Sequence, residues 1–423
     1  MPTFTTHDGV ALAYRILGEG RGRPLVCLTG EPGEPREPGR PGRSGGKGEH
    51  DGKGETDTRG LRGGPEGPEE FEGLAAHRTL VVLPARTTDG RLLPAGVVEA
   101  LRDHLGLERI DLLGHLAGGD LAVRYAAAHP HRVRSLVLVT PGPAPEPDPA
   151  HAPEPDPAHA PERARRAFGG STAPVLVLER APGAALVRAV VAFLDPAVRT
   201  VTVDGVGLAY RVAGPGDGRP LVLVHGRGES STTWGPVMED LAADHRVYAV
   251  DLRGHGLSDR PGGYGFDVFR DELGGFLKAL GLTGATVVAH SMGAGAACLL
   301  AQREPALVGR LVLEEPPAFV PLDPPRPPAR RPEGRLAFDW RIVPATDAQL
   351  NAPDPAWRAG LPAITAPTLV LAGGPSSHIP QEQPAGLAEA IPDARLVTVE
   401  AGHLVHEARP AAFLAAVREF GTG

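Results

Sequence analysis

The sequence predicts an α/β protein built on open, mostly parallel sheets with helices on both faces. Three observations carry that reading. In the C-terminal half, short apolar runs ending in turn residues alternate with helical patterns, as strands buried on both faces and joined by helical crossovers do. A second, shorter series of the same kind fills the N-terminal half. The two series also align: "DGVALAYRILGEGRGRPLVCLTG" from Asp8 runs without a gap against "DGVGLAYRVAGPGDGRPLVLVHG" from Asp204, an offset of 196 positions. Self-similarity of this length points to a tandem duplication. With 423 residues, each copy is long enough for its own core. The expected domains are 1–200 and 201–423.

The elements of the second copy follow in order. "TVTVDGVGLAYRVAG" alternates with period two around Asp204-Gly205 and predicts a hairpin. Strands are expected at Leu221–Gly226, Arg246–Leu252, Ala285–Ser291, Arg310–Glu315, Thr368–Gly374 and Arg395–His403, with helices such as "FRDELGGFLKALG" and "MGAGAACLLAQREP" between them. In the first copy "LGLERIDLLGHLAGG" matches "LGLTGATVVAHSMGA", which sets Leu116 opposite Ser291 and Ala117 opposite Met292. "STAPVLVLE" from Ser171 then matches "ITAPTLVLA" from Ile364, and the chain passes almost directly to a closing helix. A last strand and the loop after it are missing there.

Two inserts interrupt the first copy. Residues 31–70 hold almost no apolar side chains and cannot bury enough surface to offset the entropy of ordering. Residues 141–163 contain "APEPDPAH" twice in succession, a composition that favours extended, stiff spacers. Its two histidines, His151 and His159, read as a slipped repeat rather than a metal site, because no other ligand type converges on them.

Composition narrows the class. Apolar residues make up 41% and charged residues 22%, and the net charge of −8 is spread along the chain. No basic stripe invites nucleic acid. Cys27 and Cys298 each sit in an apolar run and read as buried thiols. "MPTFTTHDGV" has neither the basic start nor the apolar stretch of a signal peptide, and no run reaches the length of a membrane span. The expected location is cytoplasmic.

"LVLVHG", "DLRGHGLSDRP", "VVAHSMGAG" and "AGHLVH" occur in that order in the second copy. With these motifs, 201–423 resembles an α/β-hydrolase, and the first copy resembles a truncated, degenerate relative of one. The resemblance implies a serine hydrolase of a carboxylic ester or related small acyl compound, working through an acyl-enzyme without a metal or organic cofactor. Ser291, on the turn between a strand and a helix of small residues, takes the place of the nucleophile; capping the helix is the alternative role of a serine there. The pattern departs at Ala289, where the family usually has glycine. His403 in "AGHLVH" is the implied base; His290, His378 and His406 are its competitors, each read instead as a partly buried histidine satisfied by hydrogen bonds. The acid is open. The loop after "TLVLAGG" offers no carboxylate before Glu382, whereas Glu314 and Glu315 close the preceding strand. Consecutive strand residues face opposite sides, so at most one addresses His403, and position favours Glu315. The backbone N–H groups of Arg227 and Met292 are the implied oxyanion hole.

Asp251, Arg253 and Asp259 are read as bracing their loop. Between Pro316 and Pro362 a short proline-rich cap is expected, in which Phe319, Phe338, Trp340, Ile342 and Leu350 either line an apolar pocket or pack a small lid. In the first copy Thr29-Gly30 replaces His225-Gly226, Leu116 replaces Ser291, and the histidine loop is absent. Catalysis is therefore expected from the second copy alone. A weakly active binding or scaffold protein that keeps the fold is the competing reading.

Overall fold

A computed structural model describes residues 2–7, 9–18, 23–30, 69–87, 91–116, 118–140, 174–179, 183–195, 197–333 and 336–422. The expected insert 141–163, with His151 and His159, lies outside the described residues, as does 31–70 except for its last two positions. Two compact units emerge, Met1–Leu194 and Asp195–Gly423. The division falls before the expected boundary at 200 for a physical reason: the strand Val198–Val203 pairs along its length with Val206–Ala213 and belongs to the second unit.

The first unit contains β1 (Thr3–Thr5), β2 (Ala11–Ala13), β3 (Arg15–Leu17), β4 (Leu25–Gly30), β5 (Leu80–Pro84), β6 (Ile110–Leu116), β7 (Val133–Thr140) and β8 (Val175–Glu179). β1 and β2 form a separate hairpin, and the main sheet runs β3-β5-β4-β6-β7-β8. β3 is antiparallel to β5; every other pair is parallel.

The second unit adds β9 (Val198–Val203), β10 (Val206–Ala213), β11 (Arg219–Val224), β12 (His245–Val250), β13 (Ala285–His290), β14 (Val308–Glu314), β15 (Thr368–Ala372) and β16 (Ala394–Thr398). They form one sheet, β16-β15-β14-β13-β11-β12-β10-β9. Asp204 and Gly205 join β9 to β10 with φ of 47° and 79°, the double left-handed turn whose twist suits a two-residue hairpin. From β12 to β16 every pair is parallel, so the carboxyl ends of these strands share one edge, where open α/β sheets place their ligands.

Strand for strand, β3-β5-β4-β6-β7-β8 repeats as β10-β12-β11-β13-β14-β15. The match extends to an irregularity: the register shifts after the first residue of β6 against β7, and after the first residue of β13 against β14. Among the described residues, the first sheet has no strand beyond β8.

Alternation along the strands of the second unit builds both layers of its core. Val222, Val224, Val287, Ala289, Leu311 and Leu313 face the helices α1 (Phe266–Ala279) and α2 (Ser291–Arg303). Leu221, Leu223, Val288, Val312, Leu369 and Leu371 face the other way, onto Trp234, Val237 and Phe413. Cys27 and Cys298 are both buried and free, and burial pushes both thiols up, Cys298 to about 12. No helix among the described residues is long and apolar enough to cross a membrane.

Candidate active site

β13 delivers the chain to His290, and Ser291 then turns it into α2 with φ of 51°. This left-handed angle is costly for a residue with a Cβ. The corner is enforced by contact: a Cβ at Gly293 would lie 2.4 Å from the carbonyl oxygen of His225, so only glycine lets α2 approach β11. Ala289 is fully buried beneath the turn, and its methyl is absorbed by the core.

Glu315 follows β14 at a second strained position, φ 49°. Its side chain is fully buried. One carboxylate oxygen accepts the N–H of Gly373 at 2.5 Å, and the other accepts the Ser377 hydroxyl and faces His403 Nδ1 at 3.2 Å. Burial alone would raise this acid, but hydrogen bonds from His403, Ser377 and the Gly373 N–H outweigh it and hold the carboxyl below its ordinary range. The opposite ring nitrogen, His403 Nε2, lies 3.0 Å from Ser291 Oγ. Three strand ends thus place a carboxylate, an imidazole and a hydroxyl in one hydrogen-bonded row.

The neighbouring candidates go elsewhere. Glu314 faces the other side of β14, accepts the backbone N–H of His406 at 2.9 Å and pairs with His406 Nδ1 at 2.8 Å, both side chains fully buried. Glu382 is exposed at the start of the helix Glu382–Ala390 and does not line the cavity that holds Ser291 and His403. The ring of His378 lies 4.2 Å from that of His403, and burial, then His403 itself, lowers its pKa.

His290 is fully buried below the row. Its Nε2 donates to the backbone carbonyl of His403 at 2.9 Å and its Nδ1 faces Glu229 at 3.1 Å. Glu229 also accepts the N–H of Gly226 at 2.9 Å. Sequence reasoning missed Glu229. The available signal was a carboxylate three positions after Gly226, in the loop after β11.

Ser291, His403, Arg227 and Met292 line one cavity of about 440 Å³, roofed by Leu322, Pro324 and Leu350 from the cap. Of the apolar cap residues expected at the pocket or in a lid, Leu350 lines the cavity. Phe319, Phe338 and Ile342 instead pack into the main core, and Trp340 stands beside Phe338, rings 6.4 Å apart. Their correction has a simple cause: the cap is too short to hold a core of its own and lends its large side chains to the sheet layer. Asp251 accepts the N–H groups of Ser231 and Leu257, Asp259 accepts that of Gly207, and Arg253 pairs with Glu272, so all three brace loops.

The corresponding corner of the first unit keeps the shape. Leu116 has φ of 52°, against 51° for Ser291, and a Cβ at Gly118 would lie 2.0 Å from the Leu28 carbonyl oxygen, as Gly293 meets β11. A hydroxyl is missing from it.

The sequence profile of the alpha/beta hydrolase fold family matches residues 84–175 and 219–339, half of the chain. The chain belongs to that family. Among curated relatives, this alpha/beta hydrolase is 40% identical to an uncharacterized protein of Mycobacterium tuberculosis over 28% of this chain and 34% of the relative. It is 38% identical to a non-heme chloroperoxidase of Streptomyces lividans over 29% and 46% of the respective chains. With a 2-hydroxymuconate semialdehyde hydrolase of Pseudomonas sp. it shares 41% identity over 25% and 40%. The matched segment therefore spans a third to under half of each of these relatives.

Proposed function

We propose that the second unit of this alpha/beta hydrolase is a serine hydrolase of small carboxylic esters or related acyl compounds. One observation carries the reading: the row Glu315–His403–Ser291, with contacts of 3.2 and 3.0 Å, ends in a cavity. A serine hydroxyl is a weak nucleophile until a base takes its proton. Here Ser291 Oγ attacks the acyl carbonyl while its proton passes to His403 Nε2. The oxyanion receives the backbone N–H groups of Met292 and Arg227, each such donor contributing about 3 kcal/mol at the transition state. His403 returns the proton to the leaving alkoxide, and water repeats the sequence on the acyl-enzyme. Glu315 remains ionised throughout, fixing the tautomer of His403 and stabilising its charged form.

The first unit reads as a degenerate copy of the second. Equal strand order, an equal register shift and an equal corner angle support a duplication; Leu116 and the lack of a described strand after β8 support the loss of catalysis.

A fluorophosphonate probe tests the proposal. Labelling of the intact protein that disappears in Ser291→Ala supports it. Folded protein that stays unlabelled sinks it in favour of a binding or scaffold role.

A further inference from the structure

We propose that the cap side of the cavity is an anion subsite, and that the substrate is an acyl compound bearing a second, free carboxylate, such as a half-ester or half-amide of a short dicarboxylic acid. This rests on Ser291 being the nucleophile of the preceding reading.

Two guanidinium groups meet there. Arg227 leaves the loop after β11 and reaches the cap helix Ile342–Asn351, donating through Nη1 to Thr346 Oγ1 at 3.0 Å and to Asp347 Oδ1 at 2.7 Å. Arg326, from the proline-rich cap segment, donates through its own Nη1 to the same Asp347 oxygen at 2.9 Å. One carboxylate thus serves two cations. Asp347 is the more buried partner, its side chain 12% exposed against 28% and 30% for the arginines, and both arginines line the cavity. The Nε and Nη2 donors of both have no acceptor among the described residues.

The remaining carboxylates do not supply the missing charge. Glu229 is committed to His290 and to the Gly226 N–H. Glu315 is buried and held by Gly373, Ser377 and His403. Asp323 lines the cavity but is exposed to solvent and makes no ion pair among the described residues. A planar guanidinium presents paired donors that match a carboxylate fork. A ligand carboxylate docked on Arg227 and Arg326 would hold its far carbonyl in the same cavity as Ser291. At about 440 Å³ that cavity suits a short chain.

The test compares two para-nitrophenyl esters with the same five-carbon acyl chain, the glutarate monoester and the neutral pentanoate. The subsite predicts that the wild type favours the acid ester by kcat/KM. It also predicts that Arg326→Gln lowers the acid-to-neutral ratio about 10- to 100-fold, the usual worth of a charged hydrogen bond, and that Arg326→Lys recovers part of it. Turnover of the neutral ester with the same ratio in wild type and Arg326→Gln overturns the subsite and leaves the hydrolase reading intact. If neither ester is hydrolysed, the hydrolase reading fails, and calorimetry with glutarate monomethyl ester decides the subsite alone. Binding by Ser291→Ala that vanishes in Ser291→Ala/Arg326→Gln supports it; absence of binding by Ser291→Ala overturns it.

Discussion

His290 donates its Nε2 proton to the carbonyl of His403 at 2.9 Å while Glu229 stands 3.1 Å from its Nδ1. Both partners accept hydrogen bonds, so the ring keeps both protons. Burial opposes the charge, but Glu314 and Glu229 outweigh it and raise the pKa to about 9. A buried cation thereby ties the loop of His403 to Glu229, which also accepts the N–H of Gly226. Replacement by Gln should lower kcat about 10- to 100-fold with little change in KM, as small displacements of reacting groups do. Steady-state kinetics on a chromogenic ester separates the two constants, and a KM effect alone would refute the positioning role.

The same ion pair gives stability a pH dependence. The folded pKa of His290 lies above its ordinary value, so its contribution is complete below about 6.5 and is lost as pH rises through about 9. The urea midpoint of the wild type should fall across that interval, with Glu229, Glu314 and the rings of His403 and His406 as the facing groups. In His290→Gln the fall should flatten; an unchanged slope assigns it to other groups.

Glu314 and Glu315 are neighbours in sequence with separable duties. Glu315→Gln removes the acceptor that orients His403, and ester turnover should drop by orders of magnitude, on the order of 10²- to 10⁴-fold. Glu314→Gln instead breaks a pair buried completely on both sides, and unfolding in urea should show a loss of about 3 kcal/mol. Near-normal turnover in Glu315→Gln would reassign the acid.

Ser291 has φ of 51°, and Leu116 at the matching corner has 52° with a different side chain. Ser291→Gly should therefore be more stable than Ser291→Ala by about 1 kcal/mol, because glycine enters the left-handed region without strain. Equal melting of the two inactive variants would mean the corner relaxes when the hydroxyl goes.

Leu116→Ser returns a hydroxyl to the first unit, whose described residues show no strand after β8 and no loop matching that of His403. Fluorophosphonate labelling of Leu116→Ser/Ser291→Ala should stay at background. A labelled double variant would show that the first unit assembles its own base.

The layered α/β fold was legible because buried parallel strands read as uninterrupted apolar runs, and because the pattern occurs twice. Strand ends were less so. Runs expected to reach Gly226, Leu252 and His403 leave the ladder at Val224, Val250 and Thr398, since the residues that follow turn away to form loops at the carboxyl edge. Alternation was expected to separate Glu314 from Glu315, but β14 ends at Glu314 and Glu315 turns off it with φ of 49°. Which glutamate meets which histidine depends on the chain after β16, where His403 precedes the short helix Val405–Ala408 that holds His406. The link from Glu229 to His290 spans 61 positions and has no periodicity to betray it. The sharing of Asp347 by Arg227 and Arg326 is equally silent, because a coil segment and a cap helix meet there without a regular spacing.

Leu116 shows what the sharp corner is for. It persists in a unit that lacks the hydroxyl, imposed by glycine-close packing of a helix against the adjacent strand. The Ser291 hydroxyl is a tenant of an architectural joint, not its builder. On the proposed reading of Ser291, cysteine or aspartate at that position would exchange one chemistry for another at the same joint, where new reactions can start from a single codon.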